Sequence, residues 1–355
     1  MIFTLICRLL HLSLLATGAC PAVTFASNGS AHIVDLKIPI PKTISYEAQE
    51  MLKARAAAAK PSTDPTQKIG VLRAAYADHL AALTEQLLRT YSVAAKKQSL
   101  AGVPVTLVTP TNARADLTDR LLINVHGGAF FLGQGSIQEA IPIAARTGIT
   151  VLAIDYQLAP EAPFPAAVND IVAVYRELLK TYRPQHLALY GSSAGAIISA
   201  EATVRARQLG MPSPAALGFF SGTVDFARPG DSEAFFSDGG LAPTVLPIAV
   251  TANLYLANHS TIDPVVSPAY ADVKGFPPVL LMCGSRDFFL SGTLNFHRQL
   301  LRAGVSAELV VFDAMPHVHW ENPDLPESRE ALDIQARFLA AKVGGEHEPK
   351  MERQQ

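Results

Sequence analysis

Residues His186–Gly195, HLALYGSSAG, are the most informative part of the sequence about the fold, because an apolar run there ends in the pattern G-x-S-x-G. That pattern is typical of a sharp turn between a strand and a helix, with the central serine exposed on the turn. A helical pattern, Ala194–Leu209, follows directly. Flanking glycines relieve crowding in such a turn, and the helix adds a positive amino-terminal dipole. Ser193 is therefore the candidate nucleophile, and the N–H of Ala194 is a candidate donor to a developing oxyanion.

Strand-like and helix-like segments alternate outward from this turn over most of the chain. Such alternation predicts an α/β protein whose mostly parallel central sheet is flanked by helices. Two helical stretches, 45–59 and 67–93, precede the alternating part, and residues 223–275 interrupt it. We expect the interruption to lie above the carboxyl edge of the sheet, where open α/β sheets place their sites. The strand-like runs are 103–108, 121–125, 150–154, 186–190, 217–220, 279–283 and 308–312, and the helix-like segments are 137–146, 166–182, 194–209, 292–303 and 328–342.

A second motif, His126-Gly127-Gly128-Ala129, follows the apolar run LLINV. Backbone N–H groups in such a glycine turn can approach a substrate oxygen closely and stabilise negative charge that develops on it. We predict that Gly127 and Gly128 donate to this oxyanion, together with Ala194. The alternative interpretation is a plain turn that ends a strand.

An activated serine also needs a base and an acid that orients the base. Asp287 has the best placement for the acid, because it follows the apolar run in PVLLMCGSR; Asp263 lies in the irregular insertion and Asp313 follows the last strand-like run. His317 and His319 lie in the loop AMPHVHW. We predict His317 as the base, with His319 as the second choice. The chain order of serine, acid and histidine is the one typical of serine hydrolases with such a turn.

Bulk properties exclude several other classes. The chain has 355 residues, 49% of them hydrophobic, with a formal net charge of -2. This size suits one large domain with additions, and the charge offers neither a nucleic-acid footprint nor a polybasic patch for anionic lipid. The predicted chemistry needs no metal and no organic cofactor. No segment after the amino terminus is long and apolar enough for stable membrane insertion.

Residues 1–26 are similar to a secretory signal peptide, with cleavage after Ala26 or, as a second option, after Ala19. They predict a periplasmic or secreted protein. The alternative is a cytoplasmic protein, with a wrongly assigned start codon or an amphipathic amino-terminal helix.

Several motifs taken together resemble one family. VHGGAFFLG, DYQLAPEAPFPAAVND, YGSSAGA, DPVVSP and MPHV occur in the order found in the hormone-sensitive-lipase-like esterases, bacterial members of the α/β-hydrolase superfamily with an HGG motif. The resemblance implies an α/β-hydrolase fold and assigns Ser193, Asp287 and His317 as catalytic residues. It also assigns Gly127 and Gly128 as oxyanion donors.

The same resemblance implies a domain organisation. Residues 30–100 would form amino-terminal cap helices, and residues 101–345 a catalytic domain with a cap insertion at 223–262. Glu161 would be a structural carboxylate that braces the oxyanion region. The chain departs from the common pattern of the family at Gln157, Ser192 and Ala129. Five aromatic residues are candidate pocket walls, although core packing explains them equally well: Phe130, Phe131, Phe235, Phe236 and Trp320.

The expected function is that of a serine carboxylesterase that hydrolyses short-chain acyl esters or small lactones through an acyl-enzyme. Its partner is a small-molecule ester, and a homodimer is one option for its assembly. Amidase, peptidase or acyltransferase activity on the same scaffold stays open, because the chemistry of the triad is shared. Two further hypotheses are a ligand-binding protein without activity and a lipase that acts at a membrane surface.

Overall fold

The chain contains ten strands and nine α-helices in the residues that the computed structural model describes, which are 23–33, 38–57, 69–111, 113, 115–236 and 248–344. The strands are β1 Val23–Phe25, β2 Ala31–Ile33, β3 Val93–Leu100, β4 Val103–Pro110, β5 Leu121–Val125, β6 Val151–Ile154, β7 Leu187–Ser192, β8 Ala216–Phe220, β9 Val279–Arg286 and β10 Ala307–Pro316. The helices are α1 Tyr46–Ala57, α2 Ile69–Thr90, α3 Ala140–Thr147, α4 Ala166–Leu178, α5 Ala194–Gln208, α6 Asp231–Phe236, α7 Ile248–Leu256, α8 Leu290–Arg302 and α9 Pro326–Gly344.

Eight strands form one sheet in the order β10-β9-β8-β7-β5-β6-β4-β3. The six strands from β10 to β6 run parallel, whereas β4 pairs antiparallel with β6 and with β3. The central strands are buried along their whole length, for example Leu121–Val125. Strands that are buried on both faces consist of continuous apolar runs. These strands could therefore be recognised from the sequence. The predicted α/β-hydrolase fold is confirmed.

The edge strand β3 differs from the expectation, which placed residues up to 100 in the cap. It pairs with β4 across the turn Ala101-Gly102, where both residues have positive φ (52° and 82°), as in the tight turns that favour hairpins. Most of its side chains are exposed, Lys96 and Lys97 among them. An exposed edge strand needs no apolar alternation, and lysines protect such an edge against pairing with other chains.

Helix α5 passes from the serine turn into the protein interior. Twelve of its fifteen residues are buried, so it has no polar face that a helical periodicity could reveal. Small residues allow it to lie very close to the sheet. A Cβ at Gly195 would lie 1.9 Å from the carbonyl oxygen of Val125 in β5. The position therefore requires glycine.

The segments predicted as a cap contain helices. Helices α1 and α2 precede the sheet, and α6 and α7 lie in the connection between β8 and β9, where residues 237–247 are outside the described residues. The domain boundaries stay predictions. Of the candidate pocket walls, Phe130, Phe131, Phe236 and Trp320 are buried, whereas Phe235 is exposed.

Residues 1–41 form a separate unit, of which 23–33 and 38–41 are described. Strands β1 and β2 pair antiparallel there, and the predicted cleavage site after Ala26 lies in the turn between them. The remainder of the predicted signal peptide, residues 1–22, lies outside the described residues, so the signal stays a prediction. Among the described helices, none has the length and apolar character to cross a membrane.

Candidate active site

Ser193 lies on the turn between β7 and α5, at the carboxyl edge of the sheet. Its backbone has φ 56° and ψ -124°, a conformation that non-glycine residues rarely adopt and that occurs mainly where the surroundings enforce it. Its N–H donates to the carbonyl oxygen of Phe220 at the end of β8 (2.8 Å). A Cβ at Gly191 would lie 2.3 Å from the carbonyl oxygen of Val125. Close packing of the turn against β5 thus explains the flanking glycines of the motif.

A hydrogen-bond chain connects Ser193 to His317 and Asp287. The Oγ of Ser193 lies 2.9 Å from Nε2 of His317, and Nδ1 of the same ring lies 2.8 Å from Oδ1 of Asp287. The three residues follow β7, β10 and β9, whose carboxyl ends meet at one edge of the sheet. The ring of His317 packs against Phe288, with 4.2 Å between centroids. The structure therefore brings together the three residues that the sequence singled out.

Asp287 is fully buried and surrounded by donors. The hydroxyl of Ser221 donates to Oδ2, and the N–H of Phe289 donates to Oδ1 (2.9 Å). Burial alone would raise the pKa of Asp287. The charge of His317 and the hydrogen bonds from His317, Ser221 and Phe289 outweigh this effect, so the pKa is lowered. The carboxylate is therefore ionised at neutral pH and can only accept. It holds the proton of His317 on Nδ1 and leaves Nε2 free to accept from Ser193.

Sequence reasoning missed Ser221. The residue follows β8 directly, has φ 52°, and donates to Oδ2 of the carboxylate, whereas His317 contacts Oδ1. The only available signal was its place at a strand end next to the strand that carries Ser193. An isolated serine in FFSG is too common a feature to single out.

The remaining candidate residues lie in different surroundings. His319 is buried against the ring of Phe312, with 4.8 Å between centroids, and burial lowers its pKa to about 4. Asp313 accepts from the hydroxyl of Thr43 (2.6 Å), and Asp263 accepts from a backbone N–H of its own loop. Neither aspartate contacts His317 in the described hydrogen bonds.

The glycine turn after β5 lies against the serine turn, since a Cβ at Gly127 would lie 3.4 Å from the Cβ of Ser193. The N–H of Gly127 donates to Oε1 of Glu139 (3.0 Å). This differs from the expectation, because an N–H that already has an acceptor is not free to bind an oxyanion. In the described hydrogen bonds, the N–H groups of Gly128 and Ala129 have no acceptor.

Glu139, rather than Glu161, supports this turn directly. Glu139 is buried, and its Oε2 accepts from the side chain of Asn124 (3.3 Å). Burial raises its pKa to about 7, although hydrogen bonds from Gly127, Ser192 and Asn124 oppose the rise. Glu161, expected as a structural carboxylate, supports the region only indirectly: its side chain is 65% exposed and forms an ion pair with Arg73 (2.7 Å). Arg73 in turn donates to the carbonyl oxygen of Phe131 (2.8 Å).

Comparison with known proteins decides the family. The model of a family described as the alpha/beta hydrolase fold matches residues 122–321, more than half of the chain. The chain belongs to the α/β-hydrolase fold family.

The similarity of this hydrolase to individual proteins is distributed over most of the chain. It is 34% identical to an acetyl-hydrolase of Streptomyces hygroscopicus over 229 residues, which cover 63% of this chain and 77% of the relative. It is similar to the crystal structure of esterase E25, with a TM-score of 0.78 and 30% identity over 88% of this chain and 98% of that one. It also resembles an esterase from the bacterial hormone-sensitive lipase family, with a TM-score of 0.71 and 32% identity over 84% and 97% of the two chains. The resemblance noted in the motifs is thereby confirmed.

The described part of the hydrolase offers no cluster of three or more His, Cys, Asp or Glu side chains that could hold a metal ion. The free Cys283 is buried, and burial raises the pKa of its thiol well above the usual range. A buried neutral thiol is a poor nucleophile.

The raised pKa of Glu139 predicts a pH-dependent contribution to stability. Because the pKa is about 7 in the folded state and 4.5 ordinarily, this contribution is fully present below about pH 4.5 and lost as the pH rises through 7. The shift corresponds to about 3 kcal/mol. Glu139→Gln keeps an oxygen that can accept from Gly127 but cannot ionise. We therefore expect the free energy of unfolding of this variant, relative to wild type, to increase between pH 5 and pH 8.

Urea unfolding of both proteins at the two pH values measures this difference. Glu161→Gln is the matched control, because Glu161 is exposed and Arg73 lowers its pKa. It should gain nothing at pH 8. Parallel pH profiles for wild type and Glu139→Gln would contradict the prediction.

Proposed function

We propose that the protein is a serine carboxylesterase that hydrolyses short-chain acyl esters or small lactones through an acyl-enzyme on Ser193. That it is a carboxylic ester hydrolase follows from its family and from relatives that are acetyl-hydrolases and esterases. The substrate class and the covalent mechanism are the proposal. The observation that carries it is the hydrogen-bond chain from Ser193 through His317 to the buried Asp287.

Acylation begins when Nε2 of His317 takes the proton of the Ser193 hydroxyl. The serine oxygen then attacks the carbonyl carbon of the ester, and the electron pair of the C=O bond moves to the oxygen. Asp287 stabilises the charged imidazolium. The tetrahedral intermediate collapses, the alcohol leaves with the proton from His317, and the acyl group stays on Ser193. In deacylation His317 takes a proton from a water molecule, and the water oxygen attacks the acyl carbonyl carbon. The second tetrahedral intermediate collapses, Ser193 leaves with the proton from His317, and the carboxylic acid is released.

Three backbone N–H groups are proposed to bind the oxyanion, namely those of Gly128, Ala129 and Ala194. Ala129 takes the place that the sequence motif suggested for Gly127, because the N–H of Gly127 donates to Glu139. Loss of one such donor costs about 3–4 kcal/mol of transition-state stabilisation where it has been measured. In this assignment Gly127 and Glu139 form the support of the oxyanion hole and do not touch the substrate.

A short acyl group is supported by the acetyl-hydrolase with which the chain shares 34% identity. The location outside the cytoplasm, predicted from residues 1–26, stays a proposal beside this one, and a homodimer stays one option for the assembly.

Hydrolysis of p-nitrophenyl acetate, butyrate, octanoate and palmitate tests the substrate class. We expect kcat/KM to be highest for acetate or butyrate and lower by about 100-fold or more for palmitate, because each methylene that does not fit a pocket weakens transition-state binding. Mass spectrometry of an acid-quenched reaction should find the acyl group on the peptide that contains Ser193. A preference for palmitate would indicate a lipase instead, and a folded protein without activity on all four esters would contradict the proposed function.

A further inference from the structure

The oxyanion turn is strained. Gly128, Ala129 and Phe130 have positive φ angles in succession (119°, 55° and 69°). Glycine adopts this conformation readily, whereas alanine and phenylalanine do so only where their surroundings enforce it. The turn therefore needs contacts that hold it in place, and these contacts decide where the N–H groups of Gly128 and Ala129 point.

Phe130 is held by an aromatic stack. Its buried ring lies parallel to that of Tyr255 in α7, with 4.0 Å between centroids and 12° between planes. The carbonyl oxygen of Tyr255 accepts from the N–H of Phe164 (2.8 Å), and the carbonyl oxygen of Phe130 accepts from the N–H of Ala159 (3.0 Å). Tyr255 is thus in contact with the side chain that closes the strained turn.

The hydroxyl of Tyr255 donates to Oε2 of Glu201 (2.5 Å). Glu201 lies on α5, eight residues after Ser193, and is fully buried. Among the described residues its Oε1 has no hydrogen-bond partner. Burial raises the pKa of this carboxyl well above its usual range, although the hydrogen bond from Tyr255 opposes the rise. The pair therefore connects α5, the helix that begins directly after the nucleophile, to α7, the helix whose Tyr255 packs against Phe130.

A buried carboxyl group is a costly way to fill this space. Replacing buried polar pairs by apolar side chains of similar volume is often neutral or stabilising, and a polar pair that is kept can instead fix one arrangement. A leucine at position 201 would fill the core but could not orient the Tyr255 hydroxyl. The arrangement that the pair fixes here is the position of the Tyr255 ring against Phe130.

We propose that Tyr255 and Glu201 are positioning residues that hold the oxyanion turn Gly128–Phe130 in its active conformation. The inference rests on the proposed function, because it assigns a task within the same catalytic site. Neither side chain needs to touch the substrate. Their effect passes through the Phe130 ring to the N–H groups that face the oxyanion.

Tyr255→Phe tests this with the loss of one oxygen atom. We expect kcat for p-nitrophenyl acetate to fall by about 10- to 100-fold, because a small misplacement of catalytic groups has effects of this size. KM should change by less than about threefold, since an oxyanion contact acts mainly in the transition state. The inhibition constant of butylboronic acid, which forms a tetrahedral adduct with an active serine, should weaken by a factor similar to that for kcat.

Two variants of Glu201 separate positioning from packing. Glu201→Gln keeps an acceptor for the Tyr255 hydroxyl and should stay within about threefold of wild-type kcat, whereas Glu201→Leu should behave like Tyr255→Phe. Tyr175→Phe is the matched control, because it also removes a hydroxyl that donates to a carbonyl oxygen, that of Pro212 (2.9 Å), at the far end of α4. It should leave kcat unchanged. Thermal unfolding of each variant verifies that the protein is folded at the assay temperature.

Each outcome decides one question. Wild-type kcat and boronic acid affinity in Tyr255→Phe would overturn this inference while the proposed function stands. An equal loss of kcat in Glu201→Gln and Glu201→Leu would also overturn it, because hydrogen bonding to Tyr255 would then be irrelevant. A folded wild-type protein without esterase activity would overturn the proposed function and this inference with it.

Discussion

Ser193→Ala should lower kcat for p-nitrophenyl butyrate by about 10⁴- to 10⁶-fold, the range found when the nucleophile of a serine hydrolase triad is removed. Alanine cannot form the acyl-enzyme, so the reaction loses its covalent route and keeps only the oxyanion donors. Ser193 already has a Cβ in this unusual backbone conformation, and alanine has the same Cβ. The fold should therefore stay intact. KM should change little, because the hydroxyl contributes little to ground-state binding.

The neighbouring serine is the matched control for this variant. Ser192 stands in the same motif and is buried, and its hydroxyl accepts from Nε1 of Trp320 (3.1 Å). Its side chain also hydrogen-bonds to Glu139. Ser192→Ala should nevertheless stay within about tenfold of wild type, because both lost hydrogen bonds belong to groups that support the site and do not react, and each has a modest effect. If Ser193→Ala kept more than about 1% of wild-type activity, the hydroxyl would not be the nucleophile of the main route.

Asp287→Asn should have the second largest effect, a loss of about 10⁴-fold in kcat, as in serine hydrolases where the acid of the triad becomes an amide. The amide can donate to Nδ1 of His317, which favours the tautomer with the proton on Nε2. A protonated Nε2 cannot accept from Ser193. The geometry around the ring should stay nearly unchanged, because asparagine has almost the shape of aspartate.

Asp313→Asn provides the comparison, since Asp313 lies near the carboxyl end of the adjacent strand β10 but pairs with Thr43. It should keep nearly full activity. Protein stability provides a second measurement. Because the folded state favours the ionised carboxylate of Asp287 and so lowers its pKa, this group stabilises the fold above about pH 4. The contribution is lost as the pH falls through the pKa of the folded state. The acid limb of the unfolding curve should therefore be shallower in Asp287→Asn. Equal activity of the two variants would contradict the assignment.

The sequence predicted the sheet because its strands are buried on both faces and therefore read as apolar runs. It did not predict β3, whose exposed side chains carry no such pattern. The three residues that the structure connects by hydrogen bonds were predictable because each has a local signature: glycines around Ser193, a strand end before Asp287, and a loop around His317. Short-range patterns of this kind can be recognised in the sequence without knowledge of the fold.

The supporting residues have no such signature. Ser221 and Glu139 are single polar residues, and they gain their positions only when β8 and α3 come to lie beside the site. The difference between expectation and structure at Gly127 has a similar cause. The motif shows which backbone segment can approach a substrate, but the acceptor that occupies the Gly127 N–H comes from a residue twelve positions later. Likewise, nothing local to Glu161 showed that Arg73 would pair with it at the surface.

The site draws on four neighbouring strands, since Ser193, Ser221, Asp287 and His317 each follow a different one of β7, β8, β9 and β10. The serine and the histidine are 124 positions apart in the chain. Contacts between such distant segments form late in folding, because long loops must close first. A refolding chain therefore regains its hydrolytic activity only after this half of the sheet has assembled in register, and activity reports completed folding where helix content would report an earlier stage.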